Sequence, residues 1–308
     1  MGICESDNIN NNFYNKVRID GEVKDLSKDY LLGESIKIPI KTKYKLEEIK
    51  IGRGSSGQVL LGSDKEGRAY AIKVIRKKLI LNGQLLANEV RIGTKLNHPN
   101  ILGIKEVYED MKTISIVMEY CEGGDLFDFI MKSPQKRLDD FNTIDLLIQI
   151  LSSLDYLHNV LKICHRDLKP ENFLISINEQ NRPILKLIDF GLATYICRGE
   201  KMKGKIGTTM YMAPEILKNE PFNEKIDVWS AGIILFNMMT GCEPFASGNE
   251  KFKQYQIINK PINFDVIKND YLRELCQEML EKDPEKRLDA ATSLEKAIII
   301  KRKIFNEF

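Results

Sequence analysis

At Glu119-Tyr-Cys-Glu-Gly-Gly124 the apolar residues of this chain change period, and few folds accommodate such a switch. Upstream, from Tyr44, short β-forming runs are punctuated by glycine turns. Residues 45–51 and 58–62 flank one turn, and Asp64-Lys-Glu-Gly67 reads as a hairpin leading into 68–75. Runs at 101–107 and 113–119 predict two further strands, and 80–96 predicts a helix. Downstream, three- and four-residue apolar spacings predict helices over 125–132, 139–160, 226–240 and 271–281. The reading is an α+β chain with two lobes: a small antiparallel-sheet lobe with one helix (about 43–118) and a larger helical lobe (about 122–304). Residues 1–42 are polar and rich in asparagine (Asn8, Asn10, Asn11, Asn12, Asn15) and are expected to form a flexible extension. No internal repeat is visible.

Composition narrows the classes. The 308 residues suffice for one large domain or two modest ones. With 46 basic and 44 acidic residues the net charge is +2, so no global field favours a nucleic-acid partner and none is expected. Six cysteines (Cys4, Cys121, Cys164, Cys197, Cys242, Cys276) form no Cys-x-x-Cys pair, and no secretory signal is visible, which predicts reduced thiols and a cytoplasmic location. No apolar run is long enough to span a bilayer; 297–300 is short and ends at Lys301-Arg-Lys303.

Gly52-Arg53-Gly54-Ser55-Ser56-Gly57-Gln-Val59, preceded by Ile51, fits G-x-G-x-x-G-x-V. Glycines let a backbone approach phosphate oxygens closely. The same run could be a plain glycine turn or a dinucleotide loop. A dinucleotide loop opens a helix, whereas here Gln58-Val-Leu-Leu61 continues as strand. Lys73 follows on the third strand and Glu89 on the helix, two residue types whose default reading is solvent-exposed charge. Then come His165-Arg166-Asp167-Leu-Lys169-Pro-Glu171-Asn172, Asp189-Phe190-Gly191 and Ala213-Pro214-Glu215. With every motif in order over about 44–300, the chain resembles the eukaryotic protein kinase family.

That resemblance implies the bilobal protein kinase fold, ATP and Mg2+ (with Mn2+ as a substitute), and protein substrates. It implies that Lys73, paired with Glu89, holds the α- and β-phosphates, and that Asp167 accepts the proton of the substrate hydroxyl. Lys169 would contact the γ-phosphate, and Asn172 and Asp189 would hold magnesium through oxygen ligands. Val59, Ala71 and Leu174 would surround the adenine, Met118 the gate beside it, and Glu119 and Cys121 would offer backbone bonds. Arg287 would pair with Glu215 in a structural role. Cys121 and Cys164 lie near the nucleotide on this reading, although such cysteines are more often inert packing residues.

Lys169, two positions after Asp167, and Thr208 in Gly207-Thr208-Thr-Met-Tyr211 match serine/threonine rather than tyrosine kinases. Glu122-Gly-Gly-Asp125-Leu-Phe-Asp128, the stretch 167–174 and Lys201-Met-Lys-Gly-Lys-Ile-Gly-Thr208 resemble the calcium/calmodulin-regulated group, especially calcium-dependent kinases of protists and plants. Asp227-Val-Trp-Ser-Ala-Gly232 is common to many kinases. Asp125, with Glu171, would face substrate, Asp125 meeting a basic residue three before the acceptor; Asn237 argues against a strong demand for a second arginine. No EF-hand loop occurs in the sequence, so calcium control would need a sensor acting in trans. A monomer is expected.

Two positions depart from the pattern. Gly204 stands where an activating phosphothreonine or acid is usual, near Lys201, Lys203 and Lys205, which predicts activity independent of phosphorylation there. Gly93, four residues after Glu89, replaces the large apolar residue expected to stack with Ile104, Phe190 and His165. A mid-helix glycine costs about 1 kcal/mol against alanine, which predicts a loosely held helix and a gain in kcat for Gly93→Leu. Alternatively, Met118 fills the gap. A pseudokinase would need a broken catalytic residue, and Lys73, Glu89, Asp167, Asn172 and Asp189 are all present. At the amino terminus, Met1-Gly2-Ile-Cys4-Glu-Ser6 fits the N-myristoylation pattern on Gly2. One acyl chain binds membranes only marginally, so Cys4 is expected to supply a second, palmitoyl anchor and the membrane surface to be a partner.

Overall fold

The computed structural model describes residues 16–19, 22–25, 32, 35–54, 57–80, 82–245 and 248–305, with backbone alone at 16–19, 22–25, 53 and 54. The chain forms two compact units, one of Met1–Leu96 with Gly103–Tyr120 and the other of Asn97–Leu102 with Cys121–Phe308.

In the first unit, Lys16–Ile19 (β1) and Glu22–Asp25 (β2) pair antiparallel. The main sheet comprises Lys45–Gly54 (β3), Gly57–Ser63 (β4), Ala69–Arg76 (β5), Ile104–Glu109 (β6) and Thr113–Glu119 (β7), in the antiparallel order β3-β4-β5-β7-β6. The expected hairpin turn forms: Asp64 accepts the N–H groups of Glu66 and Arg68 (both 3.0 Å), and Gly67 takes φ +79°. Strand alternation divides the sheet's side chains. Ile75, Val107, Ile114 and Ile116 pack with Leu86 and Val90 of helix Gly83–Gly93 (α1). On the other face, Tyr70, Ile72, Tyr108 and Val117 cluster with Ile40 and Tyr44. The helix is shorter than the 80–96 expected, because Asn82 caps it by accepting the N–H groups of Gln84 and Leu85.

The stretch expected to be flexible is therefore partly ordered. Leu32, Ser35 and Ile40 are buried, and Ile36 makes a parallel bridge to Tyr108 at the β6 edge. Composition misled here because a few apolar residues in a polar stretch suffice when an unpaired strand edge awaits them.

The second unit is helical. Lys225–Thr240 (α5) is buried on almost every side, from Ile226 to Phe236, and forms its axis. The other helices are Leu126–Lys132 (α2), Asp140–Asp155 (α3), Pro214–Leu217 (α4), Glu250–Asn259 (α6), Asp270–Met279 (α7) and Ala290–Phe305 (α8); α3 and α7 pack against α5, and α8 packs on α3 and α7. The predicted helix 139–160 is α3 continued by a wider turn over Tyr156–Leu161, which stops where Lys162 takes φ +56°. Two small ladders were not foreseen: Ile163–Cys164 (β8) with Thr194–Tyr195 (β11), and Phe173–Ile177 (β9) with Pro183–Leu187 (β10). These ladders hold the loops that carry the motif residues.

Candidate active site

The motif residues fall into two constellations, one in each unit. In the first, Ala71, Lys73 and Ile75 share a face of β5, and because Ile75 packs against α1 that face carries Lys73 to the helix. Glu89 sits on α1 beside Val90. Lys73 Nζ lies 2.7 Å from Glu89 Oε1, with the two side chains 12% and 17% exposed. The glycine run is the tip of the β3–β4 hairpin, Gly52 facing Val59 and Gly54 facing Gly57. Strand follows the loop, so the dinucleotide alternative fails. Ile51 and Val59 are half-buried, Val59 lies opposite Lys73, and buried Ala71 lies opposite Met118. Glu119 ends β7. Ser55 and Ser56 lie outside the described residues, as do Gly2 and Cys4.

The second constellation hangs from α5. Asp227 is fully buried, and its carboxylate accepts the backbone N–H groups of His165 (2.8 Å) and Arg166 (2.9 Å) and the thiol of Cys164 (3.3 Å), with His158 Nε2 at 2.8 Å. Burial would raise this carboxyl, but the hydrogen bond from His158 and the neighbouring donors hold it below the usual carboxylate range. His158, Cys164 and Asp227 offer ligand atoms within 4.8 Å of one another, yet the carboxylate is already engaged by these donors. Cys164 is packing: it is fully buried, and burial pushes its thiol well above the usual range.

From this anchor the loop presents Asp167. Its Oδ1 accepts from Thr208 Oγ1 (2.8 Å) and its Oδ2 from Lys169 Nζ (3.0 Å), while Lys169 Nζ also reaches Thr208 Oγ1 (3.2 Å). Gly207 makes this possible: at φ +108° its α-carbon lies so close to the Arg166 carbonyl that a β-carbon would sit 2.6 Å from that oxygen. Asn172 is buried, donates from Nδ2 to the Asp167 carbonyl (2.8 Å), and accepts the Ile188 N–H at its own carbonyl (2.8 Å). The β9–β10 register thereby brings Asn172 opposite the residue preceding Asp189. Asp189 is exposed and held at φ +65°, a conformation uncommon outside glycine. Phe190 is buried with its ring 5.1 Å from that of His165. Glu215 and Arg287 form a buried two-pronged pair at 2.6 and 3.0 Å.

A family model described as a protein kinase domain matches residues 45–299. The chain belongs to that family. Among curated relatives, this kinase is 38% identical over 257 residues to calcium-dependent protein kinase 4 of Plasmodium berghei, an alignment covering 80% of this chain and 47% of the relative. It is 38% identical over 267 residues to calcium-dependent protein kinase 7 of Arabidopsis thaliana, covering 82% and 48%. It thus spans about half the length of the curated relatives it matches.

Two expectations about the kinase change. Gly93 is the last residue of α1 rather than a mid-helix position, and it leaves no gap: a β-carbon there would lie 2.5 Å from Ile104 Cδ1 and 2.8 Å from Cγ1. Ile104, opposite Met118 on β6, fills that space. Asp125 is also an N-cap, accepting the Asp128 N–H at 2.8 Å, a structural duty beside the expected substrate contact. Helix α2 packs on the turn Pro170–Asn172 that carries exposed Glu171, and half-buried Leu174 bridges to Asp125. Cys121 opens the longer of the two segments of the second unit. Gly204 takes φ +106°, and Arg166 Nε donates to the Leu192 carbonyl at 2.7 Å. In the sequence Asp227 stands within a motif common to many kinases, and an acid at that point of an otherwise apolar helix is the available signal.

Proposed function

We propose that this kinase transfers the γ-phosphoryl group of ATP to serine or threonine hydroxyls of proteins. The observation that carries the reading is the Asp167–Lys169–Thr208 cluster, closed by contacts of 2.8, 3.0 and 3.2 Å and hung from Asp227. Asp167 accepts the proton of the attacking hydroxyl, with Thr208 and Lys169 fixing one carboxylate oxygen each. Lys169 also steadies the γ-phosphate, and Lys73, held by Glu89, grips the α- and β-phosphates. By the family's pattern, residues 51–57 are the phosphate-binding segment, and Val59, Ala71, Met118, Glu119, Cys121 and Leu174 are the adenine-binding residues. The donor set of the Asn172 amide oxygen and the exposed Asp189 carboxylate fits Mg2+ or Mn2+. When bound, the metal neutralises charge developing on the phosphate oxygens. Phosphorylation of a serine peptide should fall by roughly 10²–10⁴-fold in Asp167→Asn with ATP affinity retained; a fall of less than tenfold would reject the assignment.

Asp125 and Glu171 select a basic residue three before the acceptor. Asp125→Asn keeps the cap and removes the charge, so on a peptide array it should lose that preference without losing stability. Acylation of Gly2 and Cys4 brings the kinase to the membrane surface from the cytoplasm, which unaltered membrane binding of Gly2→Ala in cells would refute. The relatives are named calcium-dependent; calcium control of this kinase would act through a sensor in trans, and activity with and without calcium and calmodulin tests it.

A further inference from the structure

The first unit contains an element that the phosphoryl-transfer reading leaves unused. Residues 35–37 run along the β6 edge: Ile36 N–H donates to the Val107 carbonyl (2.8 Å), and the Ile36 carbonyl accepts the Glu109 N–H (3.0 Å). The Glu109 side chain is wholly buried. One of its oxygens accepts the Leu32 N–H (3.0 Å), the Ser35 hydroxyl (2.7 Å) and the Lys37 ammonium (2.9 Å), and the other pairs with Lys77 at 2.9 Å. The Leu32 carbonyl in turn accepts from Ser35 Oγ (2.9 Å) and Lys37 Nζ (2.7 Å). Every backbone group of Leu32 is therefore satisfied, which is the condition for inserting a loop residue into a core.

What Leu32 inserts into is the cluster between sheet and helix. Its side chain is 6% exposed and packs in one group with Leu86 and Val90 of α1 and with Ile75, Val107, Ile114 and Ile116. Leu86 and Val90 are one helical turn apart, and Glu89 lies beside Val90 with its carboxylate on Lys73. The cluster that Leu32 joins thus packs the helix that carries Glu89.

We propose that Leu32 is a positioning residue for phosphoryl transfer: clamped by buried Glu109, it wedges α1 so that Glu89 holds Lys73. The proposal rests on the reading of Lys73 and Glu89 as the phosphate-gripping pair. Ile40 offers an internal comparison, being an 8%-exposed aliphatic from the same stretch packed on the opposite face of the sheet, in a cluster without α1 residues.

The test uses the full chain and compares Leu32→Ala, Leu32→Met and Ile40→Ala. It measures kcat, KM for ATP, melting temperature and amide hydrogen exchange of residues 83–93. Leu32→Ala should lower kcat about fivefold or more, with α1 amides exchanging faster. Leu32→Met, which retains the volume, should stay close to wild type. Ile40→Ala should leave kcat and α1 exchange unchanged even where melting falls. Should Leu32→Ala not fold at the assay temperature, Leu32→Val carries the same comparison with a smaller loss. Unchanged kcat and α1 exchange in folded Leu32→Ala, or in Leu32→Val where that variant replaces it, would overturn the proposal, as would equal kcat losses for Ile40→Ala and Leu32→Ala. Exchange is read without turnover, so failure of the phosphate-gripping assignment stays distinguishable from failure of the wedge.

Discussion

Gly93→Leu turns the packing around α1 into a number. A β-carbon at this position meets Ile104 Cδ1 at 2.5 Å and Cγ1 at 2.8 Å, and leucine would push three further carbons toward the same side chain. Cδ1 is a mobile end that can rotate away, but Cγ1 is nearer the β6 backbone and has less freedom. Overpacking of this kind costs about 1–3 kcal/mol. The helix would regain at most about 1 kcal/mol from losing a glycine, and less here because Gly93 is the final helical residue. The net is a loss of about 1–2 kcal/mol, or roughly 2–8 °C in melting temperature for a protein of this size. Thermal unfolding of Gly93→Leu, Ile104→Ala and the double variant forms a cycle. Removing Cγ1 and Cδ1 opens the space, so the double variant should melt above the sum of the two single losses, with a coupling above about 1 kcal/mol. If Gly93→Leu alone melts at or above wild type and turns over faster, the space is not filled by Ile104 and the packing argument fails.

Other perturbations have equally definite expectations. Arg287→Ala strands the buried Glu215 carboxylate and should destabilise by about 3–5 kcal/mol, seen as a lower denaturant midpoint. Asp227→Asn replaces an acceptor oxygen by a donor among hydrogen-bond donors, and its loss of activity should exceed that of Thr208→Ala in steady-state assays. The Asp227 carboxyl is depressed in the folded protein, so its stabilisation is present above the unfolded value of about 3.9 and lost as pH falls through the lower folded value; Asp227→Asn should flatten that acid limb of the stability profile. Maleimide labelling of the native protein near neutral pH should modify exposed Cys242 and spare Cys164.

Much of this molecule was legible from local signals. The β3–β4 and β4–β5 hairpins follow from Gly52–Gly57 and Asp64–Gly67, where turn chemistry leaves few conformations. The long helices α3 and α5 follow from apolar spacing over many residues. Short elements escaped: β8 to β11 are two to five residues long, and tertiary pairing rather than propensity forms them. The ordered motifs named Asp167, Lys169, Asn172 and Thr208, but not the carboxylate that holds their loop, because Asp227 lies 60 residues beyond Asp167. Gly93 differs from expectation for a related reason: a missing side chain reads as a hole until the neighbour that fills it, Ile104, is brought in by the sheet. Leu32 and Glu109, separated by 77 positions, share one hydrogen bond that no sequence window contains.

The central claim is that Asp167, held by Thr208 and Lys169, takes the substrate proton. Single-turnover transfer of radiolabelled γ-phosphate to a serine peptide, compared between wild type and Asp167→Asn with ATP binding measured in parallel, addresses it directly. The account predicts wild-type transfer, a roughly 10²–10⁴-fold slower chemical step in the variant and unchanged nucleotide affinity. Transfer at the wild-type rate by Asp167→Asn, or none by a wild-type protein that binds ATP, would contradict it.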